Sequence, residues 1–245
     1  MTLDDAVLYE TFDTDPRPTI DFLAWVAERA GIPSPLAVLD VGCGPGRLLR
    51  PLCALGWRVL GLEPDPVYRK RAEQRAAPSG VRVHPGGFND IDAMGEFDLI
   101  IGINSSFAHV LTATQRADAL ARCRRALRSG GILVLDLPNL LRILREYCAP
   151  PEQQTEVDGR TIRLKRDHAI DYDAATFTTH DTYTVSEPDG SRWTAERDHV
   201  YAITTKPDLE YLIQTAGFQR VETFGSVTDR EPGRVAARMI VIAST

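Results

Sequence analysis

The feature that most constrains how this chain can fold is a series of short apolar runs, each closed by turn residues and separated by stretches with helical spacing. The runs are AVLDV (37–41), RVLGL (58–62), VRVHP (81–85), FDLIIGI (97–103) and GILVLDL (131–137). They lack polar alternation, which fits strands covered on both faces, as in a parallel sheet with crossover helices. Helical patterns fall between them at about 46–55, 65–77 and 112–128. An amphipathic segment from Pro16 to Ala30, with Ile20, Leu23, Trp25 and Val26 apolar, reads as a leading helix closed by Gly31 and Pro33. Strand and helix in this order predict an α/β fold.

After Pro150 the pattern changes to period two. Phe177, Thr179, Asp181, Tyr183 and Val185 fall on one face, and Thr178, His180, Thr182 and Thr184 on the other. EPDG (187–190) is a turn signal between two such runs. An antiparallel meander over 151–205 is therefore expected, inserted in a single domain spanning 1–245. Residues 1–35 would form a lid and the leading helix, 36–150 the half built on the apolar runs, and 206–245 a closing helix (about 207–216) and strands near 218–226 and 235–243.

Composition excludes several classes. The 245 residues contain no apolar stretch near the roughly 18 residues of a membrane span. The run MTLDDAVLYETFD is acidic and lacks the basic and apolar regions of a signal peptide, so no membrane partner and a cytoplasmic location are expected. A net charge of −6 argues against nucleic acid as a partner. Cys43, Cys53, Cys123 and Cys148 form no CxxC pair and have no histidine at zinc spacing, so neither a metal site nor a disulfide is expected.

The strongest local motif is VLDVGCGPGR (38–47), a strand running into Gly42, Gly44 and Gly46 and then a helix. Glycines there permit tight turning and close approach of the backbone to a nucleotide-like ligand beside a helix N-terminus. Arg47 stands where a dinucleotide fingerprint has its third glycine, which disfavours a nicotinamide-dependent dehydrogenase. Glu63 ends VLGLE at the tip of the second strand, placed either to accept hydrogen bonds from ribose hydroxyls or to cap the helix starting near Asp65.

Together these residues resemble the class I S-adenosylmethionine-dependent methyltransferases. VLDVGCGPG is similar to their motif I, GLEP to the ribose-binding acidic motif, FDLIIGINSS to the fourth-strand motif and LRSGGILVLDLPN to the hairpin before the fifth strand. The resemblance covers about 36–137, with an echo in LIQTAGFQRVETF and RMIVIAST. It implies a Rossmann-like seven-stranded sheet, mostly parallel with the last strand antiparallel, and S-adenosylmethionine lying across the strands' carboxyl ends. By this resemblance Asp40, Gly42, Cys43, Gly44 and Gly46 would cradle the cofactor's aminoacyl part, Glu63 and Pro64 would meet the ribose, Phe88 the adenine, Asn104 the methionine moiety, and Arg17 the cofactor's carboxylate. Gly87 replaces an acidic residue that many members place against the adenine amino group, which shifts that contact to Asn89 or to backbone.

INSSFAHVL (103–111) resembles the acceptor stretch of glycine N-methyltransferases and of sugar N,N-dimethyltransferases, making His109 a candidate base and Ser105 and Ser106 candidate acceptor contacts, with Asn139 of LPNLL beside them. Tyr9 is similar to a lid tyrosine that orients the acceptor. There is no NPPY-like motif of base-amine methylation, and LPNLL lacks the arginine used to hold glycine's carboxylate. The expected function is methyl transfer to a small-molecule acceptor, an amine before a hydroxyl, with S-adenosylhomocysteine as product. O-methylation and a non-catalytic cofactor-binding protein are the alternatives, and intact Asn104 and His109 favour an enzyme. Aromatic and histidine side chains of the meander (Phe177, His180, Tyr183, Trp193, His199, Tyr201) would cover the acceptor or pair two copies in a homodimer.

Overall fold

The computed structural model describes residues 5–12, 15–145, 150–233 and 236–245; Cys148, the ends of the run MTLDDAVLYETFD and the first residue of the strand expected at 235–243 lie outside them. The apolar runs form β1 (Ala37–Val41), β2 (Arg58–Leu62), β3 (Arg82–His84), β4 (Phe97–Gly102) and β5 (Leu127–Pro138). With β10 (Arg220–Phe224) and β11 (Arg238–Ser244) they make one sheet in the order β10-β11-β5-β4-β1-β2-β3. The first five strands run parallel, while β11 lies antiparallel between β5 and β10.

Every residue of β1 is buried, as the unalternating apolar pattern requires of a central parallel strand. Successive side chains go to opposite faces: Val38, Leu99 and Ile101 join the core under the leading helix α2 (Arg17–Arg29), whereas Leu39, Val41 and Ile100 join that under α5 (Ala113–Ala126) and α7 (Lys206–Thr215). Each such side chain contributes roughly 1.5–3 kcal/mol by leaving water. Helix α3 (Leu49–Ala54) starts later than the expected position 46, because the glycine-rich turn, with Gly42, Gly44 and Gly46 all at positive φ, extends through Leu48. Helix α4 (Pro66–Ala76) starts where Asp65 accepts the N–H groups of Val67 and Tyr68, with Pro66 at its first position.

The meander forms a separate antiparallel sheet of β6 (Gln153–Val157), β7 (Arg160–Asp171), β8 (Thr176–Ser186) and β9 (Arg192–Ala202). Phe177, Thr179, Asp181, Tyr183 and Val185 are all buried, so the face read from alternation is the inner one. EPDG makes the β8–β9 turn. Two short helices were not evident in the sequence: α1 (Asp5–Thr11) and α6 (Leu140–Arg145). Both fall below the length at which a helix is stable alone, so packing decides them. α1 lies between the second sheet, where Leu8 meets Ile162, Leu164 and Tyr183, and α4, where Glu10 pairs with Arg71 and Arg75 at 2.8 Å. Among the described residues no helix is long and apolar enough to cross a membrane.

Gly102 ends β4 where there is no room for a side chain: a Cβ there would stand 2.6 Å from the Phe88 ring and 3.1 Å from Leu135. Gly102→Ala is therefore expected to lower stability by about 1–3 kcal/mol through overpacking, read as a lowered urea midpoint at unchanged slope. An unchanged midpoint would mean that the Phe88 ring moves aside freely.

Candidate active site

A cavity of about 510 Å³ opens at the carboxyl ends of the parallel strands, under α1 and the second sheet. Its floor is built by backbone. The N–H groups of Gly42 and Cys43 donate to the carbonyl of Leu62 at 2.8 and 3.0 Å, folding the turn after β1 across the end of β2. Gly42 takes a φ of +67°, and a Cβ on it would stand 2.7 Å from that of Ser106. Glu63, 5% exposed, accepts the N–H of Gly44 at Oε2 (2.8 Å) and that of Asp65 at Oε1 (2.9 Å). Each oxygen keeps a second lone pair for a ligand hydroxyl. Burial raises the Glu63 carboxyl above its ordinary value, and the two N–H groups oppose that shift.

Asp40 is buried on the cavity wall, and its carboxyl is pushed up to about 7 by desolvation, with Arg47 pulling down and Glu63 adding to the rise. Cys43 is buried and its thiol is raised by the same cause, so it is not a nucleophile. Phe88 and Phe107 pack edge to face at 5.0 Å, and Phe88 lines the cavity. Asn89 commits its amide N–H groups to the Gln115 carbonyl (2.9 Å) and to Asp118 (3.0 Å), both on α5. Asp90, whose Oδ2 accepts the N–H of Gly87, also lines the cavity.

The turn after β4 carries the other wall. Asn104 and Ser105 both adopt positive φ, +55° and +74°, a conformation costly for residues other than glycine. Asp136 of β5 holds this turn, accepting the Asn104 N–H at Oδ2 (3.0 Å) and the Ser105 N–H at its carbonyl (2.8 Å). Arg238 braces Asp136 in turn, at 2.6 Å. So held, Asn104 donates from Nδ2 to the hydroxyl of Tyr9 at 2.8 Å. Ser106 lines the cavity with a buried Oγ that has no hydrogen-bond partner.

His109 lines the same cavity. Its Nδ1 lies 2.9 Å from the Val200 carbonyl, which only accepts, so Nδ1 bears the proton and Nε2 carries the lone pair. Some of its surface is accessible to solvent, yet the surrounding protein lowers its pKa by desolvation. His199, its pKa likewise lowered by burial, and Tyr201 stand beside it on β9, ring centroids 6.3 and 4.7 Å away. Arg197, two residues before His199, joins three elements: it meets Asp65 at 2.5 Å, Asp5 of α1 at 3.1 Å, and the face of Tyr68 at 5.1 Å.

Most of the expected residues thus converge: Tyr9, Asp40, Gly42, Cys43, Gly44, Glu63, Pro64, Phe88, Asn104, Ser106 and His109 share one cavity. Four do not. Arg17 is 85% exposed and held by Asp15 two residues away; the arginines on the cavity wall are Arg47 and Arg197. Gly46 faces away, and its missing Cβ makes room for Ala72 of α4 at 3.0 Å. Asn139 is turned to the Ala236 and Ala237 carbonyls, closing the loop before β11. Ser105 faces Arg238, its Oγ accepting at 3.1 Å, in a neighbouring cavity. Of the meander side chains, His199 and Tyr201 line the first cavity, Tyr183 and Trp193 pack with α1, Phe177 lines the second cavity, and His180 pairs with Asp198. Arg47, Asp65, Tyr68, Asp90 and Arg197 escaped the sequence reading.

Residues 38–131 match the family described as Methyltransferase domain. A ubiquinone biosynthesis O-methyltransferase of Methylobacterium sp. (strain 4-46) is 28% identical over 71% of this chain and 75% of that enzyme. A glycine/sarcosine N-methyltransferase of Parasynechococcus marenigrum (strain WH8102) is 28% identical over 77% of this chain and 65% of its own length, just under two thirds. The fold is shared with a sugar N-methyltransferase from Streptoalloteichus, with a TM-score of 0.79 at 19% identity over all of this chain and 93% of the other. Residues 38–131 thus form a methyltransferase domain, and the chain is an S-adenosylmethionine-dependent methyltransferase.

Asp40 has its own measurable signature. A carboxyl raised from about 4 to about 7 favours the folded state only while protonated, so its contribution is complete below pH 4 and lost as pH climbs to 7. Asp40→Asn should stabilise the ligand-free protein at pH 8 by on the order of 1–4 kcal/mol and change nothing at pH 4. Denaturant melts at the two pH values test this; equal stability at pH 8 would contradict it.

Proposed function

We propose that this methyltransferase transfers a methyl group to an amine on a small-molecule acceptor, with His109 as the base and Tyr9 and Asn104 orienting the reacting nitrogen. The observation that carries the reading is His109 itself: its tautomer is set by the Val200 carbonyl, which leaves Nε2 with a lone pair in the cavity that also contains Asp40 and Glu63.

The residues present fit S-adenosylmethionine. Four acids line the cavity (Asp40, Glu63, Asp65, Asp90) against two arginines (Arg47, Arg197), a balance suited to a cationic ligand. Glu63 would take the ribose hydroxyls, Asp40 the ammonium and Arg47 the carboxylate, with Phe88 and Asp90 at the adenine. The unpartnered Ser106 hydroxyl offers a further polar contact. When bound, the cofactor supplies a methyl group already activated by its sulfonium charge.

The chain's own residues then have three tasks. The acid-rich wall attracts an acceptor that arrives as an ammonium. Neutral His109 takes the proton that must leave before nitrogen can attack. Tyr9 and Asn104, already bonded to each other, fix the position from which it attacks, and α1 over the opening limits water. The same base could serve a hydroxyl, and the O-methyltransferase among the relatives keeps that as the second reading. The acidic cavity favours the amine.

His109→Gln is expected to lower kcat/KM about 10²–10⁴-fold with cofactor affinity unchanged, measured with labelled S-adenosylmethionine against primary amines, amino sugars and phenols. Because partial desolvation lowers the imidazole pKa from its ordinary value, the acid limb of wild-type activity, where His109 becomes protonated, lies on the acid side of a free imidazole's. Turnover in the variant equal to wild type, with the same acid limb, would remove His109 from the chemistry.

A further inference from the structure

A second cavity, of about 460 Å³, adjoins the first, and Tyr201 lines both. We propose that it is the far half of the acceptor site and holds an oxyanion, a carboxylate or phosphate, carried by the acceptor about 10 Å from the atom that is methylated. This rests on the reading above that the acceptor is a small molecule entering beside His109.

The register of the second sheet sets the distance. Across its inner face His168, Thr179 and His199 form one row and Arg166, Asp181 and Arg197 the next. His199, on β9, belongs to the first cavity; His168 and Arg166, two strands away on β7, belong to the second. Strands lie about 4.8 Å apart, so an acceptor that reacts beside β9 and continues past Tyr201 reaches β7 after roughly 10 Å.

The charges of the two cavities are segregated. Arg142, Arg166 and Arg238 line the second, and among the described residues no carboxylate does. The acids that balance two of them sit behind the wall: Asp181 is 1% and Asp136 is 8% exposed. Those acids also fix the guanidinium groups. Arg166 meets Asp181 through Nε and NH2 at 2.6 and 2.5 Å, and Arg238 meets Asp136 through Nε and NH2 at 2.8 and 2.6 Å. Donors already held in place lose little freedom when an anion arrives. Ser105 adds to the set: its Oγ accepts from Arg238, which leaves its own proton to donate. Pro138, Leu140 and Phe177 complete the wall, and such apolar surroundings strengthen each charged contact. An acid-lined chamber beside an arginine-lined one suits an acceptor with a basic nitrogen at one end and an oxyanion at the other.

The test is calorimetric titration of the protein, saturated with S-adenosylhomocysteine, with inorganic pyrophosphate and with glutarate, which separate the phosphate and carboxylate forms of the proposal. Because Arg166 alone cannot be removed without stranding the buried Asp181, the variants are the paired Arg166→Gln/Asp181→Asn and the mild Ser105→Ala. One of the two probes should bind saturably, about tenfold or more weaker in the paired variant and weaker in Ser105→Ala, with S-adenosylhomocysteine affinity unchanged. Toward any amine that is turned over, that probe should inhibit competitively. Neither probe saturating up to about 10 mM, affinity indifferent to both variants, or inhibition not competitive with the amine would each overturn the proposal. Failure of the methyltransferase reading is distinct: S-adenosylhomocysteine itself would not bind, while the ligand-free protein would still bind or refuse the oxyanion.

Discussion

The Glu63 carboxylate joins the two turns on which the site is built. One oxygen holds the N–H of Gly44 after β1, the other the N–H of Asp65 before α4. The Leu62 carbonyl, one residue earlier, holds the N–H groups of Gly42 and Cys43. Two adjacent residues at the tip of β2 therefore fix the whole glycine turn. The arrangement works because Gly42 and Gly44 reach left-handed conformations without strain and because nothing larger than hydrogen fits opposite Ser106. A carboxylate kept from water yet given two N–H donors is prepared to accept ligand hydroxyls without further reorganisation.

The opposite wall depends on Asp136 in a comparable way. Its side chain and carbonyl hold Asn104 and Ser105 in an unfavourable backbone conformation, and Arg238 on β11 holds Asp136. The antiparallel strand thus sustains strain at the turn after β4, with one product on each side: Asn104 meets Tyr9 in the first cavity, and Ser105 meets Arg238 in its neighbour. Arg197 ties the second sheet to α1 and to the cap of α4, so α1, the meander and the start of α4 share one charge network.

Local patterns in the sequence carried what they physically determine. Period-two alternation identified the inner face of β8 residue by residue, since a strand has only two faces to choose from. The turn chemistry of GCGPG and the acid ending β2 identified one edge of the first cavity, because β1 and β2 are neighbours in space as in sequence. What escaped was decided by partners distant in the chain or by side-chain direction. Arg17 and Arg47 are equivalent as sequence; Asp15 captures the first. Gly46 resembles Gly42 and Gly44, yet it exists to let Ala72 approach. Asn139 and Ser105 depended on loops and strands about a hundred residues away. Arg197 needed the β8–β9 register, which the turn at 187–190 sets but alternation alone does not.

The central claim is that the Glu63 edge is an S-adenosylmethionine site. Its most direct test is a titration of wild type and Glu63→Ala with S-adenosylmethionine, with NAD as control and a thermal melt of each protein to confirm folding. The account predicts wild-type binding with a Kd on the order of micromolar, lost in the folded variant, and none for NAD. A folded wild-type protein that fails to bind S-adenosylmethionine, or that prefers NAD, would contradict it.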